Sequence, residues 1–163
     1  MTIYSAQLPQ FFSLFMLWAP PQEEIFTIEE TLALLGIEIG GTKLVLTVGN
    51  DTGEPISHLR RPMEPSGDWA TDLERIAEDA RRLLGDAGIP LPRMIGVSAP
   101  GPCELSTGII SQPPNLPGWD EVPIVQHLGA ALGAPVRLEN DANAAALAEW
   151  KFGQAEAFEI SPT

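Results

Sequence analysis

Residues 36–54, GIEIGGTKLVLTVGNDTGE, place only Gly40, Gly41, Thr42 and Lys43 between two apolar runs. Leu34–Ile39 and Leu44–Val48 read as buried strands, since short apolar runs bounded by turn residues suit a sheet interior. So short a link forces the two strands antiparallel, because a parallel pair needs a crossover of a dozen residues or more. NDTGE (50–54) is a second turn, with Asp51 and Gly53 as its signals. Ile56–Arg61 follows as a third strand, polar on one face, so the three form an antiparallel meander. The GGTK turn has two readings. It is a plain hairpin, or it is a nest of backbone N–H groups that receives an anion. Gly40 and Gly41 can adopt positive φ and let the backbone approach a ligand closely.

A helical period takes over at residues 68–84. Trp69, Leu73, Ile76, Ala77, Ala80, Leu83 and Leu84 fall on one face. Thr71 and Glu74 have the spacing of a capping box, with Asp68 as the rival N-cap. Gly85 suits the position just past the helix end. Arg93–Ser98 reads as the next strand, and APGPCELSTG (99–108) as a turn-rich loop. Pro123 at a first helical position and Gly133 beyond the last bracket a short helix. Pro135–Leu138 is a buried strand, and Asp141–Phe152 an alanine-rich helix stopped by Gly153. A meander followed by alternating strands and helices predicts an α/β layer on a mixed sheet.

The chain has 163 residues, 44% of them hydrophobic, which is enough for one domain or one lobe of a larger protein. Its net charge is −13, and its nine basic residues form no dense run, which argues against a nucleic-acid partner. An acidic chain can still take ATP, because backbone N–H groups and Mg²⁺ handle phosphate locally. Cys103 is the single cysteine, so an intrachain disulfide and a multi-cysteine zinc site are excluded. Its best reading is a small packing residue, and a cytoplasmic location fits. Residues 1–32 read as an N-terminal extension with no assigned role. Within it LPQFFSLFMLWAPP (8–21) is shorter than the roughly 20 residues of a membrane-spanning helix. No Lys or Arg precedes Lys43, which speaks against a signal peptide. The cluster Phe11–Phe15 is either part of an inert extension or a partner-docking segment.

Two further segments carry polar groups to a sheet edge. RLENDANAAALAEWKFG (137–153) ends a strand at Glu139 and opens a helix near Asp141. Asn140 can both donate and accept hydrogen bonds, as a sugar hydroxyl requires. Asp141 is either a general base or an N-cap. GVSAPGP (96–102) ends another strand in a Gly/Pro loop. PPNLPGW (113–119) adds Asn115, which is a sugar contact or an Asx turn beside a packed Trp119. In open α/β sheets ligands bind outside the carboxyl ends of strands, where these residues should gather. The GGTK turn lacks the spacing of a P-loop and of a GxGxxG fingerprint.

Together these segments resemble the ROK family (repressors, open reading frames and sugar kinases) of the actin-like ATPase superfamily. That family opens with a strand–DxGGTK–strand motif, then a Gly/Pro loop, an NLPGW segment and an ENDANAAALAEW segment. Here these are Gly36–Lys43, Gly96–Pro102, Asn115–Trp119 and Glu139–Trp150. The resemblance implies an actin-like ATPase (ribonuclease H-like) N-terminal lobe over residues 33–163. It implies ATP-dependent phosphorylation of a glucose-like hexose at the 6-hydroxyl. Asp141 then matches the base, and Asn140, Asn115 and Gly101 match sugar contacts. Glu38, Gly40, Gly41, Thr42 and Lys43 match the loop facing the phosphates of ATP and its Mg²⁺.

Two departures accompany the likeness. Glu38 stands where the family usually has Asp, one methylene shorter. The family's second lobe carries a Cys/His zinc site, more sugar-binding residues and the adenosine pocket, and it has no counterpart in these residues. Cys103, His58 and His127 cannot rebuild that zinc site. The chain therefore reads as a truncated sugar kinase whose cleft requires a complementing C-terminal lobe, with a homodimer as a further expected partner. A non-catalytic sugar-binding fragment, a fragment of a sugar-responsive repressor and a split enzyme are the competing readings.

Overall fold

The structure is a computed structural model and describes residues 33–145. The extension over residues 1–32, the part of the expected 141–152 helix beyond residue 145 and the C-terminal tail lie outside the described residues. Three strands open the described part: β1 (Leu34–Ile39), β2 (Lys43–Gly49) and β3 (Pro55–Pro62). The helix α1 (Trp69–Asp86) and strand β4 (Met94–Ala99) follow. Next come a two-stranded ribbon, β5 (Cys103–Glu104) with β6 (Ile109–Ile110), the helix α2 (Ile124–Leu132) and strand β7 (Val136–Asn140). Residues 141–145 are helical.

The main sheet has the order β3-β2-β1-β4-β7. The meander is antiparallel, with Ile39 opposite Leu44 and Leu46 opposite Leu59. β4 runs parallel to β1, and β7 parallel to β4. This is the mixed α/β sheet expected from the apolar runs. One face carries Leu35, Ile37, Ile39, Leu44, Leu46, Val48, Ile95 and Val97, all buried within one core with Leu73, Ile76, Ala77 and Ala80 of α1. Each such Leu or Ile contributes about 1.5–3 kcal/mol by leaving water. Small residues dominate the opposite face: Gly36 pairs with Gly96, and Thr47 and Ser98 are buried there. β3 is an edge strand with alternating exposure. Its Arg61 Nε donates to Asp79 Oδ2 at 2.6 Å, tying the edge to α1, and Arg82 also pairs with Asp79.

The helix ends differ from expectation. Asp68 is the N-cap of α1; its Oδ2 accepts from Thr71 N at 3.1 Å and from Thr71 Oγ1 at 2.6 Å. The Thr71–Glu74 capping box is not made, because Thr71 is the donor to Asp68 and Glu74 pairs with Arg81 instead. Gly85 lies inside the helix. The chain turns at Gly88 (φ 72°), where Gly88 N donates to Gly85 O and Ile89 N to Leu84 O, a Schellman closure. Gly133 does end α2, in the left-handed region at φ 70°, while Pro123 is the N-cap rather than the first helical residue. The loop 99–108 contains the β5 strand of the small ribbon, an element too short for alternation to reveal.

Candidate functional site

Three parallel strands deliver the candidate residues to one edge. Glu38 of β1 is opposite Ser98 of β4, which is opposite Glu139 of β7. The GGTK turn, the loop at Pro100–Pro102 and the Asn140–Asp141 junction therefore leave the same carboxyl-terminal side of the sheet, where α/β sheets bind ligands.

The GGTK turn is closed by Gly40 N donating to Lys43 O at 2.8 Å, and Thr42 O accepts from Met63 N at 3.1 Å. Thr42 and Lys43 are exposed. Lys43 Nζ lies 2.7 Å from Glu38 Oε1, so the cation folds back onto the half-buried carboxylate of its own hairpin. Neither Gly40 nor Gly41 uses the positive φ open to it. Close approach is what demands glycine here. A Cβ on Gly41 would lie 2.2 Å from Asn115 Cβ, so the turn and the NLPGW loop meet at this point.

Asn115 rides on a loop that closes upon itself. Gln112 N donates to Trp119 O, Leu116 N to Pro113 O, and Trp119 N to Leu116 O. Leu116 and Trp119 are each 1% exposed, while Asn115 is exposed. Below the loop sits a residue that the helical pattern did not single out, Asp72 of α1. Its Oδ2 accepts from Trp119 Nε1 at 3.0 Å and its Oδ1 from Ser66 N at 2.9 Å. A buried indole N–H calls for such an acceptor. Asp72 lies 47 positions away in sequence, so no local pattern points to it.

At the end of β7, Asn140 takes the capping position. Its Oδ1 accepts from Ala142 N at 3.1 Å, and Asp141 Oδ1 also accepts from Ala142 N, at 2.8 Å. Asp141 is thus the first helical residue rather than the N-cap, and it is exposed. A carboxylate there is favoured by the helix dipole. Glu139 Oε1 accepts from Asn140 N and Asn143 Nδ2, which braces the junction. A Cβ on Gly101 would lie 2.9 Å from Asn140 Nδ2, so the Gly/Pro loop touches the Asn140 carboxamide. Cys103 packs behind, with Sγ 3.6 Å from Pro100 O. Burial, then the charges of Asp141 and Glu139, push its thiol above the ordinary range.

The structure therefore brings Gly41 to Asn115, Gly101 to Asn140, and Glu38 to Lys43. No hydrogen bond joins Asn115 to Asn140 among the described residues. Exposed amide, hydroxyl and carboxylate groups on one rigid edge can bind a polyol and accept a proton from it. Among the described residues no group of three or more His, Cys, Asp and Glu side chains could hold a metal ion by itself. No helix among them is long and apolar enough to cross a membrane.

A family model described as the ROK family matches residues 34–161. A glucokinase of Thermotoga maritima is 31% identical over 122 residues, covering 75% of this chain and 38% of that protein. An N-acetyl-D-glucosamine kinase of Pasteurella multocida is 35% identical over 116 residues, covering 70% and 36%. The crystal structure of a ROK hexokinase from Thermus thermophilus matches with a TM-score of 0.64 and 39% identity, covering 72% of this chain and 38% of that one. The chain thus spans less than two fifths of the length of these relatives.

Proposed function

The chain belongs to the ROK family and has its actin-like ATPase fold, and from that premise we propose that residues 33–163 are the N-terminal lobe of an ATP-dependent kinase acting on the 6-hydroxyl of a hexose. The observation that carries this reading is the convergence at one sheet edge. There Gly41 abuts Asn115, and Gly101 abuts Asn140 beside the exposed Asp141. Sugar kinases are the relatives in hand, with glucose and N-acetylglucosamine named among their substrates.

In this reading Asp141 accepts the proton of the 6-hydroxyl as that oxygen attacks the γ-phosphorus and the bond to the ADP oxygen breaks. Asn140 and Asn115 hold neighbouring hydroxyls, and Gly101 leaves room for the Asn140 carboxamide to turn toward them. The exposed Thr42 and the backbone of Gly40 and Gly41 face the phosphates. Glu38 is a hard oxygen donor at the turn and would hold Mg²⁺ carried by the nucleotide once Lys43, now 2.7 Å from it, turns to a phosphate. That ion, when bound, would neutralise charge on the transferring phosphoryl group. A single carboxylate suffices because Mg²⁺ usually keeps its waters and takes substrate phosphates as ligands. Phosphoryl transfer needs mainly positioning and charge neutralisation, which rigid strand ends supply.

The test is product identity. The full-length gene product, supplied with Mg²⁺, ATP and either D-glucose or N-acetyl-D-glucosamine, should release ADP only when sugar is present. Phosphorus NMR should place the new phosphate on the 6-oxygen. ADP release independent of sugar, or phosphate on the anomeric oxygen, overturns the assignment.

A further inference from the structure

We propose that Asp72 is a positioning residue for the sugar contact Asn115 and acts on it through Trp119; this rests on the functional reading above. The Asp72 side chain is 1% exposed. Burying a carboxylate is costly unless its oxygens are hydrogen-bonded. α1 has no packing need for one there, since Leu73, Ile76 and Ala77 already fill its buried face. Both oxygens are committed, and to two different segments. Oδ2 receives the Trp119 indole N–H and Oδ1 the Ser66 backbone N–H, with Arg75 Nη1 at 3.9 Å on the rim.

The two segments also touch directly. Gly118 has φ 81°, and a Cβ on it would lie 2.0 Å from Gly67 O. Asp72 therefore pins the 66–67 turn and the 118–119 end of the loop against each other. The loop transmits this as a unit, because Gln112 N–H to Trp119 O closes its mouth and the buried Leu116 anchors its middle. Asn115 stands four residues before Trp119, at the point where Gly41 leaves no room to spare. A shift of the indole is passed to Asn115 and to its seat on the GGTK turn. In a close-packed assembly such shifts are transmitted rather than absorbed.

The test compares Trp119→Phe, which keeps the ring and removes the N–H, with Asp72→Asn, which keeps the size and puts an amide N–H₂ toward one of two donors. Each is made in the full-length gene product. Sugar KM and kcat, and D-glucose and N-acetyl-D-glucosamine binding by calorimetry, are measured well below the unfolding range, and Tm is recorded alongside. A latch predicts a rise in sugar KM of about tenfold in each variant with a smaller change in kcat. It also predicts a double variant no worse than the worse single one, because the two residues act as one contact. Lower Tm with sugar KM within about twofold of the unaltered protein in the folded variants means a structural bond only and overturns the proposal. If Asp72→Asn does not fold, Trp119→Phe decides by the same criterion. Failure of the unaltered protein to bind either sugar refutes the functional reading itself, and the latch with it.

Discussion

Replacing Gly41 with alanine puts a methyl group where Asn115 already sits. The new Cβ would be 2.2 Å from Asn115 Cβ and 3.1 Å from its Cγ. An ordinary contact begins near 3.4 Å, so about 1.2 Å of separation must be found by moving the turn or the loop. Rotating the Asn115 side chain cannot supply it, because the clash is with Cβ. Overpacking of this kind costs about 1–3 kcal/mol. The functional cost is larger, since a misplacement of about 1 Å can lower turnover about 10²-fold. Gly41→Ala should therefore lower Tm and, more steeply, sugar phosphorylation, read by coupled ADP release with differential scanning calorimetry alongside. Gly40→Ala is the control for the Tm change, for its Cβ would meet Lys43 O at 3.3 Å, a far milder contact. Gly41→Ala combined with Asn115→Gly should recover Tm without recovering sugar affinity. Wild-type Tm and turnover in Gly41→Ala alone would show that the turn and the loop do not meet as described.

Two further outcomes follow from charge. The hydrogen bonds from the Thr71 side chain and backbone hold the Asp68 carboxyl below the ordinary aspartate range. Its stabilisation is then present at neutral pH and lost as pH falls through that lowered value. The Tm gap between the unaltered protein and Asp68→Ala should close at acid pH, and a gap independent of pH refutes the cap. Burial first, and then Asp141 and Glu139, raise the Cys103 thiol. Iodoacetamide should alkylate it more slowly than an unhindered cysteine at pH 8, and Asp141→Asn should speed the reaction; an unchanged or slower rate in that variant contradicts the placement of Asp141 beside Cys103.

The meander and the parallel strands were legible because apolar runs and turn residues mark them, and α1 because seven apolar positions share a face. The helix ends were less so. Asp68, Thr71 and Glu74 offer competing caps, and the winner is set by which oxygen Thr71 reaches. Gly85 was the expected stop, and the closure by Ile89 onto Leu84 carries the turn on to Gly88 instead. The candidate residues were recognisable as a linked set, and the parallel register of β1, β4 and β7 explains why they share an edge. The reason for Gly41 was hidden, because it lies in a contact with Asn115 and not in the turn's own dihedrals. Asp72 was hidden likewise, since its partners come from two other segments.

The most direct measurement is steady-state sugar phosphorylation by the Asp141→Asn variant of the full-length gene product. The amide can still accept from Ala142 N–H, so the fold and the sugar affinity should be retained. Loss of the base should lower kcat by about 10²–10⁴-fold. Turnover near that of the unaltered protein, in a variant that binds sugar normally, would contradict the assignment of Asp141 as the base.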